Sequence, residues 1–365
     1  MFRRLLVLLI ALTIISPLFA EGNQEDNGEG QKVYKMRFSH GLPPTHSWAK
    51  TLDQFARLVE EKSDGQIEVE VYTSGQLYKP NELYEAVRAG LVESGSLFTV
   101  YLQPNAPMID ALSPVGTVWN REIEEEIIKG FLKEEGPGWE IVKAIEAVGI
   151  KPLAWFSTGC AGNLAGYAGT GKPVNTPEEM QGKKVRGLGA LNAKAIESWG
   201  GRPVYMSGSD LYTGLQRGTI DMSYVTPSHL INRKLSEATD WYAAGVPGSA
   251  LQQFYPVVSV DFFNSLPAHL QDALIEAGRE MTQKRLDLDY EFNPYIENEK
   301  LLQELKEMDD FKVIEQNIEQ QTLWAKSCEP IHEERMKELG PEAIKVYNMV
   351  SEMEKKFGLP YYFIK

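Results

Sequence analysis

The sequence has few of the residues on which metal and redox sites depend. Only two cysteines, Cys160 and Cys328, occur in 365 residues, and no CxxC or HExxH motif is present. The five histidines are scattered without the spacing of metal ligands, so we expect no metal site and no cofactor. In an exported protein the two cysteines could be bridged or could remain buried thiols, and the sequence leaves both alternatives open.

Motifs of nucleophilic and dinucleotide chemistry are also missing. The sequence contains no GxSxG motif, no recognisable catalytic triad and no dinucleotide-binding fingerprint. We therefore expect that the protein is not an enzyme and has no catalytic residues.

Positive charge is scarce. The formal net charge is −14 at pH 7, which argues against general nucleic-acid binding because that function needs a basic surface. The negative charge does not exclude binding of small anions, since a local arginine acts over a Debye length of about 8–10 Å.

Only the first twenty residues are apolar enough to suggest a targeting segment. Arg3 and Arg4 precede an apolar run over residues 5–15, and Ala20 is a suitable last residue before cleavage. Residues 1–20 therefore predict a signal peptide, with an uncleaved anchor as the alternative, and residues 21–32 predict a disordered tether. We expect a periplasmic mature protein, and the length of residues 33–365 predicts two lobes.

Strand and helix patterns alternate through the first two thirds of the chain. Segments 35–39 and 67–72 predict strands, and apolar residues recur at helical spacing over 47–62, where Thr45 or Ser47 could cap a helix. This alternation predicts an α/β fold with largely parallel sheets.

Further segments follow the same reasoning. Strands are predicted over 94–100, 151–156, 183–186, 222–226 and 255–263. From residue 268 onwards the pattern is mainly helical, with a short strand over 311–314 and a break at Gly340 and Pro341. Long helices after an α/β core suggest elements that brace both lobes.

Two segments of the chain resemble each other. Residues 81–93 and 209–221 share an acid near the start, a Leu–Tyr pair, a glycine near the end and a final acid, Glu93 or Asp221. The similarity could be accidental, or each lobe could contain one such helix–turn–strand unit. The equivalence with Glu93 favours a structural role for Asp221 over a catalytic or cation-binding one.

Candidate binding residues lie where the predicted strands end, because ligands of open α/β sheets bind beyond the carboxyl ends of strands. These ends carry aromatic residues, hydroxyl groups and one arginine, but no convincing acid–base pair. The candidates are Thr45, His46, Phe98, Trp155, Ser157, Arg186, Tyr224 and Thr226.

Arg186 is the strongest of these candidates. It ends a short strand and precedes Gly187, next to which a ligand can approach the backbone closely. A guanidinium holds a carboxylate with two parallel hydrogen bonds. Alternatively, Arg186 is a solvated basic residue with no binding role, like its neighbours Lys183 and Lys184.

Each of the other candidates also has an ordinary structural explanation. Trp155 could contact a ligand or belong to the core. Thr45 and His46 could bind an anion at a helix start or simply cap the helix. Tyr224 and Thr226 could bind a ligand or pack inside the second lobe.

Several segments occur in the order found in a known family. They are residues 38–46 (FSHGLPPTH), 75–77 (GQL), 173–186 (PVNTPEEMQGKKVR), 200–204 (GGRPV) and 210–221 (DLYTGLQRGTID). This series resembles the substrate-binding proteins of TRAP transporters, the DctP type, from about Val33 to beyond Pro267. Each motif alone is weak, and the ordered series is fairly specific.

The resemblance implies a two-lobed periplasmic binding protein with a ligand cleft between the lobes and a long bracing helix. It implies residues 33–153 with parts of 242–365 for lobe I, and residues 154–241 with part of the C-terminal helical region for lobe II. It implies an extracytoplasmic subunit, expected to be a monomer, that captures a small organic acid by lobe closure and delivers it to an ion-gradient-driven permease. In that family an arginine at the position of Arg186 pairs with the ligand carboxylate.

The chain departs from the family pattern at three places. The second arginine that many members have after the strand near residue 155 is missing, Met222 follows Asp221 where many have glycine, and the site near Phe98 is apolar. These departures favour a small or more apolar carboxylate over a sugar acid. The alternatives in other functional classes are an exported hydrolase or lyase and a ligand-sensing adaptor.

Overall fold

The structure is a computed structural model of the chain. It describes residues 32–112, 115–116, 120–159, 164–246, 253–287 and 293–359. The predicted signal peptide, the predicted tether apart from Lys32, and Cys160 lie outside these residues. Cys328 is buried and free.

The strands of the described residues form two sheets. In chain order they are β1 (Tyr34–Ser39), β2 (Ile67–Tyr72), β3 (Ser94–Phe98), β4 (Ile150–Pro152), β5 (Phe156–Ser157), β6 (Gly166–Gly169), β7 (Lys184–Arg186), β8 (Arg202–Val204), β9 (Met222–Val225), β10 (Trp241–Ala244), β11 (Gln253–Ser259) and β12 (Lys312–Glu315).

Helices cover both sheets. In chain order they are α1 (Ser47–Lys62), α2 (Leu83–Arg88), α3 (Thr99–Leu102), α4 (Ile109–Leu112), α5 (Arg121–Lys133), α6 (Gly136–Glu146), α7 (Ala190–Ser198), α8 (Leu211–Gln216), α9 (Pro227–Asn232), α10 (Val260–Ser265), α11 (Ala268–Leu286), α12 (Pro294–Lys306), α13 (Ile318–Leu339) and α14 (Pro341–Lys356). Short 3-10 helices also lie at Pro177–Met180, Gly208–Asp210 and Leu235–Ala238.

The first sheet has the strand order β2-β1-β3-β11-β4, and β5 also pairs with β11. The second sheet has the order β12-β10-β6-β9-β7-β8. Each sheet, with the helices packed on it, forms one lobe of an α/β molecule. Each has its own apolar core, built around residues such as Trp48 and Phe254 in the first lobe and Tyr167 and Trp241 in the second.

Both sheets are mixed, which corrects the expectation of largely parallel sheets. Strands β1, β2 and β3 run parallel, as do β7, β8 and β9, but β11 and β6 run antiparallel to their neighbours. Each of these two strands follows a passage of the chain from the other sheet. They therefore enter their sheets without the crossover helix that keeps successive strands parallel.

The two similar segments form matching helix–turn–strand units. Helix α2 leads into β3 and α8 leads into β9, and Gly90 and Gly218 turn the chain with φ of +67° and +65°. The carboxylate of Glu93 accepts a hydrogen bond from the backbone N–H of Arg37 on β1 at 2.9 Å, and Asp221 accepts one from Lys184 on β7 at 2.7 Å. Asp221 therefore connects two strands of the second sheet, in agreement with the structural role that the sequence favoured.

Element boundaries differ from the predictions at several places. His46, not Thr45 or Ser47, caps α1, with its Nδ1 accepting a hydrogen bond from the Trp48 N–H. The predicted strand over 255–263 ends at Ser259, and its last residues form α10. Short apolar runs are ambiguous because the same residues can face the core from a helix or from a strand.

Helix α13 braces the two lobes, as the resemblance implies. Trp324 and Cys328 on α13 belong to the core of the second lobe, whereas Met336 packs with Ala111 of α4 in the first lobe. Arg335 on the same helix donates to the buried Asp110 carboxylate of α4 at 2.7 Å. One helix, with Pro330 between its two sets of contacts, thus packs on both lobes. None of the described helices is long and apolar enough to cross a membrane.

Candidate functional site

The two lobes meet around a small cavity of about 40 Å³. The first lobe contributes the end of β3 and the start of α3, and the second lobe contributes the end of β7 and one face of α9. The lining residues are Gly41, Pro80, Phe98, Val100, Tyr101, Arg186, Gly208, Ser209, Leu211, His229 and Arg233.

Arg186 lies at the end of β7 and faces this cavity. Only 8% of the residue is exposed, and its Nε donates to the Met206 carbonyl at 3.3 Å. Burial lowers the pKa of the guanidinium from its ordinary value, and the neighbouring Tyr101 opposes that shift. A partly desolvated guanidinium at the junction of two lobes is suited to bind a carboxylate.

A second arginine faces the same cavity. Arg233 ends helix α9, and its Nη1 donates to the Gly208 carbonyl at 3.4 Å, while its buried Nε has no hydrogen-bond partner among the described residues. Burial, together with the positive charge of Arg186, lowers the pKa of Arg233 to about 10. Both side chains nevertheless remain cationic at neutral pH.

Positive charge is concentrated at the cavity, although the protein as a whole is acidic. None of the residues described as lining it is an aspartate or glutamate. In the part of the chain that the structure describes, neither guanidinium forms a salt bridge. Two like charges held together without a counter-ion raise the energy of the empty site, and an anion would lower that energy.

A wider groove lies on the other side of Tyr101 and Arg186. Its volume is about 660 Å³, and both residues line it as well as the small cavity. Residues from the first lobe, such as Gln103 and Asp110, face residues from the second lobe, such as Tyr205. The gap between the lobes therefore continues beyond the arginine pair.

Aromatic and histidine rings pack together beside the cavity. The His229 ring of α9 lies edge-on to Trp48 at 4.8 Å and 5.8 Å from the His46 ring, measured between centroids. Burial lowers the pKa of His46 to about 3 and moves the pKa of His229 well below its ordinary value, with Arg233 adding to both shifts. Both histidines are therefore neutral at pH 7, and the arginines carry the charge of the site.

Direct hydrogen bonds also connect the lobes. The Gly208 N–H of the second lobe donates to the Tyr101 hydroxyl of the first at 3.2 Å. Glu297 on α12 accepts a hydrogen bond from Ser47 Oγ of α1 at 2.5 Å and another from Asn232 Nδ2 of α9 at 3.2 Å. One carboxylate thus bridges a helix of each lobe.

Comparison with known proteins agrees with this architecture. Residues 38–339 match the family model described as bacterial extracellular solute-binding protein, family 7, DctP. The chain belongs to this family. Because its members bind solutes and are not named for catalysis, neither the exported hydrolase or lyase nor the ligand-sensing adaptor is favoured.

Individual relatives are distant but similar over most of their length. The C4-dicarboxylate-binding periplasmic protein DctP of Rhodobacter capsulatus is 27% identical over 320 residues, which cover 85% of this chain and 88% of that protein. A TRAP periplasmic solute-binding protein of Sulfurospirillum deleyianum, solved with bound succinate, has a TM-score of 0.74 and 21% identity, covering 87% of this chain and 99% of the other. A protein of Sulfitobacter sp. NAS-14.1, solved with bound β-D-galacturonate, has the same TM-score, identity and coverage.

In this family 7 protein some predicted site residues come together and others do not. Arg186 and Phe98 line the cavity. His46 packs behind it against His229, and Thr226 caps α9 by accepting a hydrogen bond from the His229 N–H at 3.2 Å. Thr226 therefore fixes the helix that carries two cavity residues.

The remaining four predicted residues do not line either interlobe cavity described above. Trp155 lies in the core of the first lobe and donates to Gln253, and Tyr224 packs on Tyr167 at 5.3 Å in the second. Ser157 is buried in a polar cluster around Glu124. Thr45 is exposed. The sequence left open whether Trp155 and Tyr224 bind a ligand or pack in a core. In the structure both pack in the core of a lobe.

The main residue that sequence reasoning missed is Arg233. The sequence lacks the arginine that many family members have after the strand near residue 155, and in the structure Arg233 lines the cavity from the end of α9. A signal was present, because His229 and Arg233 are four residues apart and therefore lie on one face of a helix that starts at a capped strand end. Among the described residues no group of three or more potential metal ligands comes together.

Proposed function

We propose that this chain is the extracytoplasmic solute-binding subunit of a TRAP-type transporter and that it captures a small organic acid between its lobes. The observation that carries the proposal is the pair of guanidiniums of Arg186 and Arg233, which face one cavity where no described lining residue is acidic. Such a site favours an anion over a neutral or cationic solute.

The ligand that fits best carries two carboxylates on a short chain. Two cations are balanced by two negative charges, so the charge of the cavity favours a ligand with two carboxylates. The names of two similar proteins support this class, because one is called C4-dicarboxylate-binding and the other was solved with succinate. The sequence favours a smaller or more apolar carboxylate, and Arg233 adds a second positive charge to the site.

Capture follows from the position of the two arginines. Both belong to the second lobe, and the first lobe covers them with Phe98 and Tyr101. A ligand held by the guanidiniums in an open form would gain contacts with the first lobe only when the lobes close. Ligand binding therefore increases the population of the closed form, because only that form makes both sets of contacts.

Each lobe is built from more than one part of the chain. We propose residues 33–157 with parts of 253–365 as lobe I and residues 166–244 with part of the C-terminal region as lobe II, whereas the sequence predicted the boundaries at 153/154 and 241/242. Strand β5 lies at their boundary and pairs with β11 of the first sheet. The signal peptide is cleaved near Ala20, and the mature protein is a periplasmic monomer without enzymatic activity that delivers its ligand to membrane permease subunits.

A ligand screen tests the proposed substrate class. We expect short dicarboxylates to raise the thermal unfolding midpoint more than monocarboxylates of equal chain length, since a ligand at 100 times its dissociation constant adds about 2.7 kcal/mol to the free energy of unfolding. Calorimetry on the best ligand then gives its affinity. Stabilisation by neutral sugars or amines, with none by carboxylates, would contradict the proposal.

The Glu297 bridge should stabilise the closed form. Glu297→Ala removes two hydrogen bonds that connect α1 to α9 through α12. Only the bond to Ser47 crosses between the lobes, and a hydrogen bond of this kind contributes about 0.5–1.5 kcal/mol. We therefore expect ligand affinity to fall by about 2- to 12-fold, chiefly through faster dissociation in stopped-flow measurements. The matched control is Glu299→Ala on the exposed face of the same helix, which should leave both rates unchanged. Equal dissociation rates in the two variants would show that the bridge plays no part in closure.

A further inference from the structure

Gly208 of the second lobe is surrounded by the polar groups of the candidate site. Its N–H donates to the Tyr101 hydroxyl of the first lobe at 3.2 Å, and its carbonyl accepts a hydrogen bond from Arg233 Nη1 at 3.4 Å. Gly208 lines the small cavity and also a neighbouring recess of about 250 Å³, which Arg233 lines as well. A side chain at this position would therefore project among the groups that are available to a ligand.

The fold itself does not require a glycine at position 208. Its φ lies outside the left-handed region, in contrast to those of Gly90 and Gly218. Apart from its neighbours in the chain, a Cβ atom added to Gly208 would meet two described heavy atoms within 4 Å, Tyr101 Oη at 3.6 Å and Arg186 Nη2 at 3.7 Å. Both are ordinary contact distances, so an alanine would fit. Neither backbone strain nor crowding accounts for this glycine.

The two atoms beside this space are hydrogen-bond donors from opposite lobes. Arg186 Nη2 belongs to a guanidinium at the end of β7, and Tyr101 lies on α3 of the first lobe. In the described part of the chain, the Tyr101 hydroxyl accepts a hydrogen bond from Gly208 and donates none, so its proton is available to a further acceptor. A carboxylate beside Gly208 could accept hydrogen bonds from both groups at once.

The arginines are oriented by backbone carbonyls of the same segment. Arg186 Nε donates to the Met206 carbonyl at 3.3 Å, and Arg233 Nη1 donates to the Gly208 carbonyl at 3.4 Å. Both distances exceed the usual 2.9–3.0 Å of an N–H···O bond, so these contacts position the side chains and neutralise little of their charge. The segment 206–208 thus directs both guanidiniums towards the cavity, and Gly208 adds no side chain between them.

We propose that the space beside Gly208 is the subsite for one carboxylate of the ligand, held between Arg186 of the second lobe and Tyr101 of the first, and that residue 208 lacks a side chain so that this space stays open. The inference rests on the proposed function and makes it more specific. A carboxylate in this subsite contacts both lobes, so its binding favours the closed form. Arg233 is then left for the second carboxylate.

Gly208→Ala is the first test, because it adds one methyl group where the ligand-free protein has room for it. We expect the unfolding midpoint without ligand to stay the same or to rise, since alanine restricts the unfolded chain more than glycine does. Calorimetry with the dicarboxylate selected in the screen should show an affinity at least about 10-fold lower, because the methyl group overlaps the carboxylate. Thr213→Ala, at an exposed position on α8, is the control that changes neither quantity.

A pair of variants of equal size tests the chemistry of the space. Gly208→Asp places a carboxylate beside Arg186, whereas Gly208→Asn fills the same volume without charge. Both should lower ligand affinity by at least about 100-fold, because both side chains occupy the subsite. Without ligand, the aspartate variant should unfold at least about 2 °C above the asparagine variant, since its side chain supplies the anion that the guanidinium lacks. Equal midpoints in the two variants would show that the space does not adjoin the guanidinium.

Tyr101→Phe removes the first-lobe donor and leaves the space open. We expect it to lower affinity by about 10-fold, as for the loss of a hydrogen bond to a charged group. Its effect and that of Gly208→Ala should combine to less than their sum in the double variant, because both act on the same carboxylate.

The outcomes separate this inference from the proposed function. Full affinity in both Gly208→Ala and Gly208→Asn, with the unsubstituted protein binding the dicarboxylate, would overturn the subsite and leave the proposed function standing. A lower midpoint in Gly208→Ala would also overturn it, because the glycine would then serve the fold. An unsubstituted protein that binds no carboxylate would overturn the proposed function and this inference together.

Discussion

Arg186→Ala is expected to weaken ligand binding by about 30- to 4,000-fold. The estimate follows from a loss of about 2–5 kcal/mol when one partner of a desolvated, hydrogen-bonded charge pair is removed. Arg186 is 8% exposed and lines both the small cavity and the wider groove. Water that enters in its place would not supply the positive charge that a bound carboxylate loses. Calorimetric titration with the selected carboxylate measures the change.

The conservative variant separates charge from geometry. Arg186→Lys keeps a positive charge but cannot form two parallel hydrogen bonds with a carboxylate, so it should recover only part of the lost affinity. Arg202→Ala, in the neighbouring strand β8, removes an exposed arginine and serves as the control with unchanged affinity. Affinity retained in Arg186→Ala would remove this residue from the site.

Arg233→Ala should change which ligands the protein prefers. Removal of one charge-assisted interaction of about 1.5–3 kcal/mol lowers the affinity for a dicarboxylate by about 10- to 140-fold. The affinity for a monocarboxylate of the same chain length should change much less, because Arg186 alone can hold a single carboxylate. Titration calorimetry gives the ratio of the affinity for the dicarboxylate to the affinity for the monocarboxylate. We expect this ratio to fall towards one in the variant.

The stability of the ligand-free protein gives an independent readout. The positive charge of Arg186 raises the free energy of the charged form of Arg233, because like charges repel one another. Removing Arg233 should therefore leave the ligand-free unfolding midpoint unchanged or raise it, while affinity falls. The control is Arg217→Ala, an exposed arginine of the same lobe. A lower midpoint together with equal losses for both ligand classes would indicate a structural role for Arg233.

Local patterns were enough to predict many elements of the fold. The bounds of α1 and β2 follow directly from their apolar spacing, and the break between α13 and α14 follows from Gly340 and Pro341. The repeated helix–turn–strand unit was also visible, because both copies keep the same carboxylate at the same register. Such features depend on residues that are near one another in the sequence.

Long-range arrangement was harder to predict. The antiparallel entry of β6 and β11 depends on where the chain passes between lobes, which no local pattern records. For the site, Arg186 was identified because it ends a strand. Arg233 was missed because its contribution depends on the packing of a short helix against the opposite lobe. Trp155 and Ser157 also lie near strand ends, yet Trp155 packs in the first-lobe core and Ser157 donates a hydrogen bond to the buried Glu124.

The central position of β11 has a consequence for how the molecule is made. Strand β11 lies between β3 and β4, although it follows most of the second sheet in the chain. A nascent chain that ends before Gln253 thus leaves β3 and β4 without the neighbour that joins them, and their backbone groups stay unpaired. The N-terminal lobe, although synthesised first, cannot be completed until residue 259 has emerged, so the usual order of folding from the N-terminus is delayed.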